Sequence, residues 1–180
     1  MTDVSRADRN RRDRFAEIFH LVFEPLQAYV LRRGGGPDTD DIVSEVLTVL
    51  WRRLDAVPTG SELPWSLGVA RRCLSNHRRS VSRRDLLVER ITANQTPAPS
   101  ENAHLDEALD CLDADQLEIL RLWAWEGLAP REIALVMDLS ANAASIRLHR
   151  ARRRLGKLLE SRKNPAVTGH NSDSTTKEQR

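Results

Sequence analysis

Residues 129–155 constrain this chain most, because they fit one kind of supersecondary unit: a short helix, a tight turn and a second helix crowded with arginine. Pro130 suits a first helical position, where its missing N–H would be unpaired anyway. Ile133, Ala134 and Met137 then recur as a small apolar stripe. Asp138 to Asn142 interrupts the pattern with residues that tolerate a turn, and Ser140 can cap the helix that follows. Beyond it Ala144, Leu148, Ala151, Leu155 and Leu158 line one face, while Arg147, Arg150, Arg152, Arg153, Arg154 and Lys157 cover the rest. Such a helix can bury one side in protein and press the other into a duplex groove, as a helix-turn-helix does.

Charge strengthens that reading. Basic helices are often no more than solvated surface. Here residues 141–163 hold eight Lys/Arg against the single acid Glu160, so ion pairs between successive turns cannot neutralise the face. Uncompensated like charge repels itself, and a polyanion relieves the repulsion. The formal net charge of +2 hides the same unevenness elsewhere. Residues 37–62 carry six acids (Asp38, Asp40, Asp41, Glu45, Asp55 and Glu62) against two arginines. Residues 71–84 carry six arginines and no acid. One acidic and two basic patches suit different partners.

The 180 residues suffice for one ordinary domain or two small ones. Alternating apolar and polar residues never persist, and Leu, Ala, Arg and Glu abound, so the chain is expected to be all-α. Cys73 and Cys111 match no metal or redox spacing and are expected to be reduced. The five histidines, His20, His77, His104, His149 and His170, form no metal pattern, and no nucleophile stands near a base. No catalytic residue, metal, cofactor or small-molecule substrate is therefore expected. No apolar run approaches the ~20 residues a membrane span needs. No secretory leader opens the chain, so the expected location is the cytoplasm.

Residues 1–12 read as a frayed tail. A long helix is expected from Phe15 to about Arg33, with Pro25 as a possible kink or break. Gly34 to Pro37 is a turn, after which Asp38 or Thr39 can cap a second helix carrying Ile42, Val43, Val46, Leu47, Leu50 and Leu54. A third begins near Pro64, with Leu67, Ala70, Leu74 and Val81 on its apolar face. Residues 92–102 lack large apolar side chains and contain two prolines, which marks a flexible linker over 89–104 long enough to let two blocks sit well apart. The second block, 105–161, opens with short helices carrying Leu109 and Leu112, then Leu117 and Leu120, with Asp113 as a cap between them. Residues 162–180 read as a disordered tail.

Taken in order, these stretches resemble the extracytoplasmic-function sigma factors of bacterial RNA polymerase, within the sigma-70 family. Asp40 to Trp51 is similar to that family's region 2.2, Pro64 to Arg72 to region 2.3, and Asn76 to Arg79 falls in region 2.4. Leu112 to Leu120 and the helix-turn-helix ending at Arg152 are similar to region 4. Arg72 stands where many members carry Asn, Asn76 where Asp is frequent, and Asp138 where the turn usually has glycine. Ala143 and Ala144 replace a Thr-Val pair. The resemblance covers residues 13–160 and implies a three- to four-helix region 2 bundle over 13–88 and a region 4 helix-turn-helix domain over 105–161.

It also implies a function: promoter-specific initiation of transcription, with core RNA polymerase and promoter DNA as partners and commonly an anti-sigma factor that restrains the protein. Asp40, Asp41, Glu45 and Trp51 would then meet the core enzyme, although the acids also suit a helix N-terminus and Trp51 also suits a core. Trp65, Arg71, Arg72, Asn76, Arg78, Arg79 and Arg83 would hold the unpaired −10 strand, with Trp65 equally suited to the core and Arg84 beside the cluster. Asn142, Ser145, Arg147, His149, Arg150 and Arg153 would read the −35 duplex. Two other functions fit parts of the pattern. A dimeric helix-turn-helix regulator acting alone would leave the acidic helix and the 71–84 cluster unused. A protein-interaction adaptor would bind acidic proteins through its basic faces.

Overall fold

A computed structural model describes residues 3–34, 36–85 and 103–163, which form seven α-helices and no strand. Helix α1 spans Asp3–Arg32, α2 Thr39–Arg52, α3 Glu62–Asp85, α4 Ala103–Asp110, α5 Ala114–Ala124, α6 Pro130–Met137 and α7 Ala141–Lys163. The all-α class is as expected. Three boundaries differ from the sequence reading. Residues 3–12 continue α1 and are not a frayed tail, and Arg11 anchors them by donating to Asp55 at 2.9 Å and to the Trp51 carbonyl at 2.6 Å. Helices α4 and α7 each run about two residues into the expected linker and tail, the rest of which lies outside the described residues.

Pro25 neither ends nor divides α1. The carbonyl it leaves unbonded belongs to Leu21, a residue 55 % exposed, so water can serve that group. Asp38 makes no capping hydrogen bond to α2, contrary to expectation; its carboxylate lies 3.2 Å from His77 of α3, and the Thr39 hydroxyl donates to the Gly36 carbonyl. Asp113 does cap α5, accepting from the Gln116 N–H at 2.8 Å.

Helices α1, α2 and α3 pack mutually. Val22, Leu26, Tyr29 and Val30 from α1, Val46 and Leu50 from α2, and Leu67 and Ala70 from α3 are fully buried. Each large side chain so buried contributes ~1.5–3 kcal/mol of hydrophobic stabilisation. In the second half, α7 lies against α4, α5 and α6, burying Ala144, Leu148 and Ala151 against Ile119, Leu122 and Ile133.

The sequence left room for the two halves to sit well apart, but here they are docked. Helix α3 packs against α6, and Gly68 makes this possible: a Cβ there would come within 3.3 Å of the Leu135 carbonyl oxygen. One hydrophobic core thus runs through both halves. Polar groups close the same seam. Arg33, buried in the turn just after α1, donates from Nε to Glu118 at 3.0 Å and from Nη1 to Glu126 at 2.9 Å. The Tyr29 hydroxyl donates to Glu118 at 3.0 Å, and Arg32 reaches Glu126 at 2.6 Å. A buried guanidinium needs such partners, since an unpaired charge there is strongly destabilising.

Candidate nucleic-acid interface

The helix-turn-helix has the local chemistry expected of it. Pro130 occupies the start of α6, and the Glu132 carboxylate accepts from the Ala129 N–H at 2.7 Å. Asp138 ends α6 in the left-handed region with φ of 56°, the conformation for which glycine is usual and Asp is tolerated. The Ser140 hydroxyl caps α7 by accepting from the Ala143 N–H. This cap and the buried Ala144, Leu148, Ala151 stripe fix the rotation of α7. Asn142, Ser145, Arg147, His149, Arg150 and Arg153 all project to solvent. Two further arginines of α7 are used internally: Arg152 lies 4.5 Å over the Trp123 ring, and Arg154 donates to the Cys111 carbonyl. Arg147 and Arg150 instead border a groove that also includes Asp113, Asp115 and Gln116.

Helix α3 treats its arginines differently. Arg71, Arg72, Arg78 and Arg79 converge on a cavity of about 530 Å³ whose opposite wall is α5, with Ala114, Asp115, Leu117, Glu118 and Arg121. Arg71 pairs loosely with Asp115 at 3.7 Å. Arg78 donates to the Arg33 carbonyl at 2.6 Å, and Arg79 to the Ser75 hydroxyl at 3.2 Å. Asn76 is exposed. The side chain of Arg83 lies outside the described residues, as does that of Arg84. Trp65 is half-buried against the hydrophobic core near the start of α3, so packing already occupies part of its surface.

On α2, Asp40, Asp41 and Glu45 are exposed. Asp40 and Asp41 sit in the first turn, where the helix dipole also favours them. Glu45 faces α3: burial first, and then its carboxylate, push the Cys73 thiol up to about 11. Trp51 is 38 % exposed, with one side against Phe15 and Arg11 and the remainder open. Core packing and an exposed contact surface coexist in it. A groove beside Asp40, lined by Glu24, Gln27, Leu31 and Pro37, extends the outer surface of α1 and α2.

Sequence reasoning missed the seam residues Tyr29, Arg33, Glu118, Arg121 and Glu126. Spacing held one usable signal. Arg33 follows Leu26, Tyr29 and Val30 at helical intervals, which places a guanidinium on the buried stripe. Burial raises the Tyr29 hydroxyl pKa well above its ordinary value, and the Glu118 carboxylate adds to the shift. Burial also lowers that of Arg121, with Arg33 and Arg78 repelling its charge. Among the described residues, no group of three His, Cys, Asp or Glu could hold a metal ion, and no helix is long and apolar enough to cross a membrane.

Known proteins share this arrangement. The family model for sigma-70, region 4 matches residues 103–155. The chain is 33 % identical over 144 residues to the ECF RNA polymerase sigma factor SigF of Caulobacter vibrioides, covering 76 % of this chain and 80 % of that one. It is 29 % identical over 156 residues to the RNA polymerase sigma factor CarQ of Myxococcus xanthus, covering 82 % and 90 %. In fold it is similar to the sigma factor RpoE of Bartonella quintana, solved with the anti-sigma factor NepR, at a TM-score of 0.59, 24 % identity and 81 % and 96 % coverage. CnrH, solved with the cytosolic domain of CnrY, superposes at a TM-score of 0.53 with 24 % identity and 82 % and 88 % coverage. An acidic outward helix, an arginine-lined α3 and a capped helix-turn-helix thus accompany a specific kinship, and the chain belongs to the ECF sigma factors of bacterial RNA polymerase.

Proposed function

We propose that this sigma factor works in the cytoplasm as two functional units, 13–88 and 105–161, joined by the segment 89–104. The first unit docks on core polymerase through Asp40, Asp41, Glu45 and the open side of Trp51. It then holds the −10 strand with Trp65, Arg71, Arg72, Asn76, Arg78, Arg79 and Arg83. The second unit reads the −35 duplex with Asn142, Ser145, Arg147, His149, Arg150 and Arg153. One observation carries this reading: Arg147, Arg150 and Arg153 project from a helix whose register is fixed by its cap and its buried stripe. Donors held at a fixed spacing suit base edges and phosphates, which a freely rotating basic helix would not. The chain itself supplies binding energy for strand separation, and the chemistry of RNA synthesis stays with the core enzyme.

An anti-sigma factor is the proposed regulator, by analogy with the partner in the Bartonella complex. It would act on the same basic surfaces, which must be free for DNA. The test is transcription by sigma-free core enzyme supplemented with the purified chain on genomic promoter fragments. Discrete start sites that disappear with Arg147→Ala support the reading. Binding of a palindromic duplex as a dimer, without any polymerase-dependent transcript, would replace it with an autonomous regulator.

A further inference from the structure

We propose that the cavity between α3 and α5 is a binding site for a small oligophosphate anion, which clasps the two halves together. The walls hold Arg33, Arg71, Arg72, Arg78, Arg79 and Arg121 against only two carboxylates, Asp115 and Glu118. At about 530 Å³ the space falls within the ordinary range for small-ligand sites. Two wall residues each keep one nitrogen without an acceptor. Nη2 of Arg33 and Nε of Arg121 are shut off from solvent without a hydrogen-bond partner, and the Arg33 side chain is only 3 % exposed. Neither nitrogen is open to the cavity as it stands, so an entering anion meets the exposed Arg72, Arg78 and Arg79 first and reaches the buried pair only as their side chains turn.

Spacing favours a chain of phosphates over a single oxyanion. Arg71 and Arg78 stand seven residues apart on α3, about 10.5 Å along the axis, with Arg121 approaching from the opposite wall. The cations therefore line a length that two or more linked phosphates span more fully than one tetrahedral ion. Guanidinium forks match phosphate oxygens in pairs, which suits an all-arginine set. Because the ligand would touch both halves, its binding would stabilise the docked form by mass action. It would also occupy Arg71, Arg72, Arg78 and Arg79, which the proposed function gives to DNA. This inference goes beyond that function, and its primary readout requires neither polymerase nor promoter.

The test is calorimetric titration and thermal unfolding of the full chain with inorganic pyrophosphate, with GTP, and with sulfate, all at one ionic strength. Pyrophosphate is expected to bind one to one and raise the unfolding temperature, with sulfate at least about tenfold weaker because it lacks a second phosphate. Comparable GTP binding would mean that the phosphate chain suffices, while tighter GTP binding would add a contribution from the base. Arg121→Gln should weaken pyrophosphate at least about fivefold by removing the far-wall cation. Asp115→Asn, a change at an exposed position, should tighten it by removing an opposing charge. Pyrophosphate should also displace a single-stranded oligonucleotide from the wild-type chain and do so less well from Arg121→Gln. Equal binding of sulfate and pyrophosphate, no binding at millimolar concentration, or Asp115→Asn failing to tighten it would each overturn the proposal.

Discussion

Helices α3 and α7 are both arginine-rich amphipathic helices, yet the structure puts their charges to different use. On α7, Arg147, Arg150 and Arg153 are open to solvent, with Arg147 and Arg150 beside a groove shared with the start of α5. On α3, Arg71 reaches across the seam to Asp115 and Arg78 donates to the Arg33 carbonyl of its own half, while Arg72, Arg78 and Arg79 stay exposed at the rim of the cavity. Composition does not distinguish the two. What differs is the neighbour. Helix α7 packs mainly against α4, α5 and α6 of its own half, whereas α3 lies at the seam, with Gly68 against α6 and the arginine-lined cavity against α5. The α7 arginines proposed to read duplex DNA need no rearrangement of the two halves to be exposed. On α3 the ion pair of Arg71 spans the seam, so loosening the seam frees that arginine, one of the four described.

The largest effect should come from breaking the seam. Glu126→Ala removes a carboxylate that is 4 % exposed and pairs with both Arg32 and Arg33, leaving the buried Arg33 charge short of a partner. A cost of about 3–5 kcal/mol is expected in urea unfolding, whereas Arg153→Ala on the outer face should stay within about 0.5 kcal/mol. If the two variants proved equally stable, the contrast between seam and outer face would fail. Overpacking the seam tests the same contrast by steric means. Gly68→Leu must push α3 away from the Leu135 carbonyl and should cost about 1–3 kcal/mol, while small-angle scattering reports a larger radius of gyration.

On the outer face, Arg147→Ala should weaken −35 duplex binding by about 1–3 kcal/mol with relaxed sequence preference if the side chain reads a base. A uniform loss across sequences, with a shallower salt dependence, would assign it to phosphate. The smallest effect belongs to Tyr29→Phe, which deletes the hydrogen bond to Glu118 at a cost of about 1 kcal/mol. The sign of its pH dependence follows from burial. Because the folded state holds the Tyr29 proton more tightly than the unfolded chain does, its contribution is complete below the ordinary tyrosine value near 10. That contribution declines as pH rises above it. Stability of the wild type should therefore fall more steeply than that of Tyr29→Phe beyond about pH 10, as read from thermal unfolding.

Much of the functional surface was legible because it depends on local rules. Pro130, Asp138 and Ser140 announce the start, turn and cap of the helix-turn-helix, and the Ala144, Leu148 and Ala151 stripe sets which arginines of α7 point outward. The helix of residues 3–12 was not legible, since a polar segment becomes helical here through Arg11 reaching Trp51 and Asp55, forty or more residues away. The capping role expected of Asp38 gave way for a similar reason, as its carboxylate lies beside His77 of another helix.

From the sequence alone follow the helical class, the order of the elements, the kinship with sigma factors and the existence of one acidic and two basic patches. These depend on residue periodicity and on contacts a few positions apart, which a linear reading can count. Tertiary structure alone decided that the two halves dock, which carboxylates Arg33 meets across the seam and that the α3 arginines line a cavity against α5. Arg33 meets Glu118 across 85 positions and Glu126 across 93. Pairing over such separations depends on which faces are left to bury after each helix has packed locally, and periodicity within a single helix carries no record of that choice.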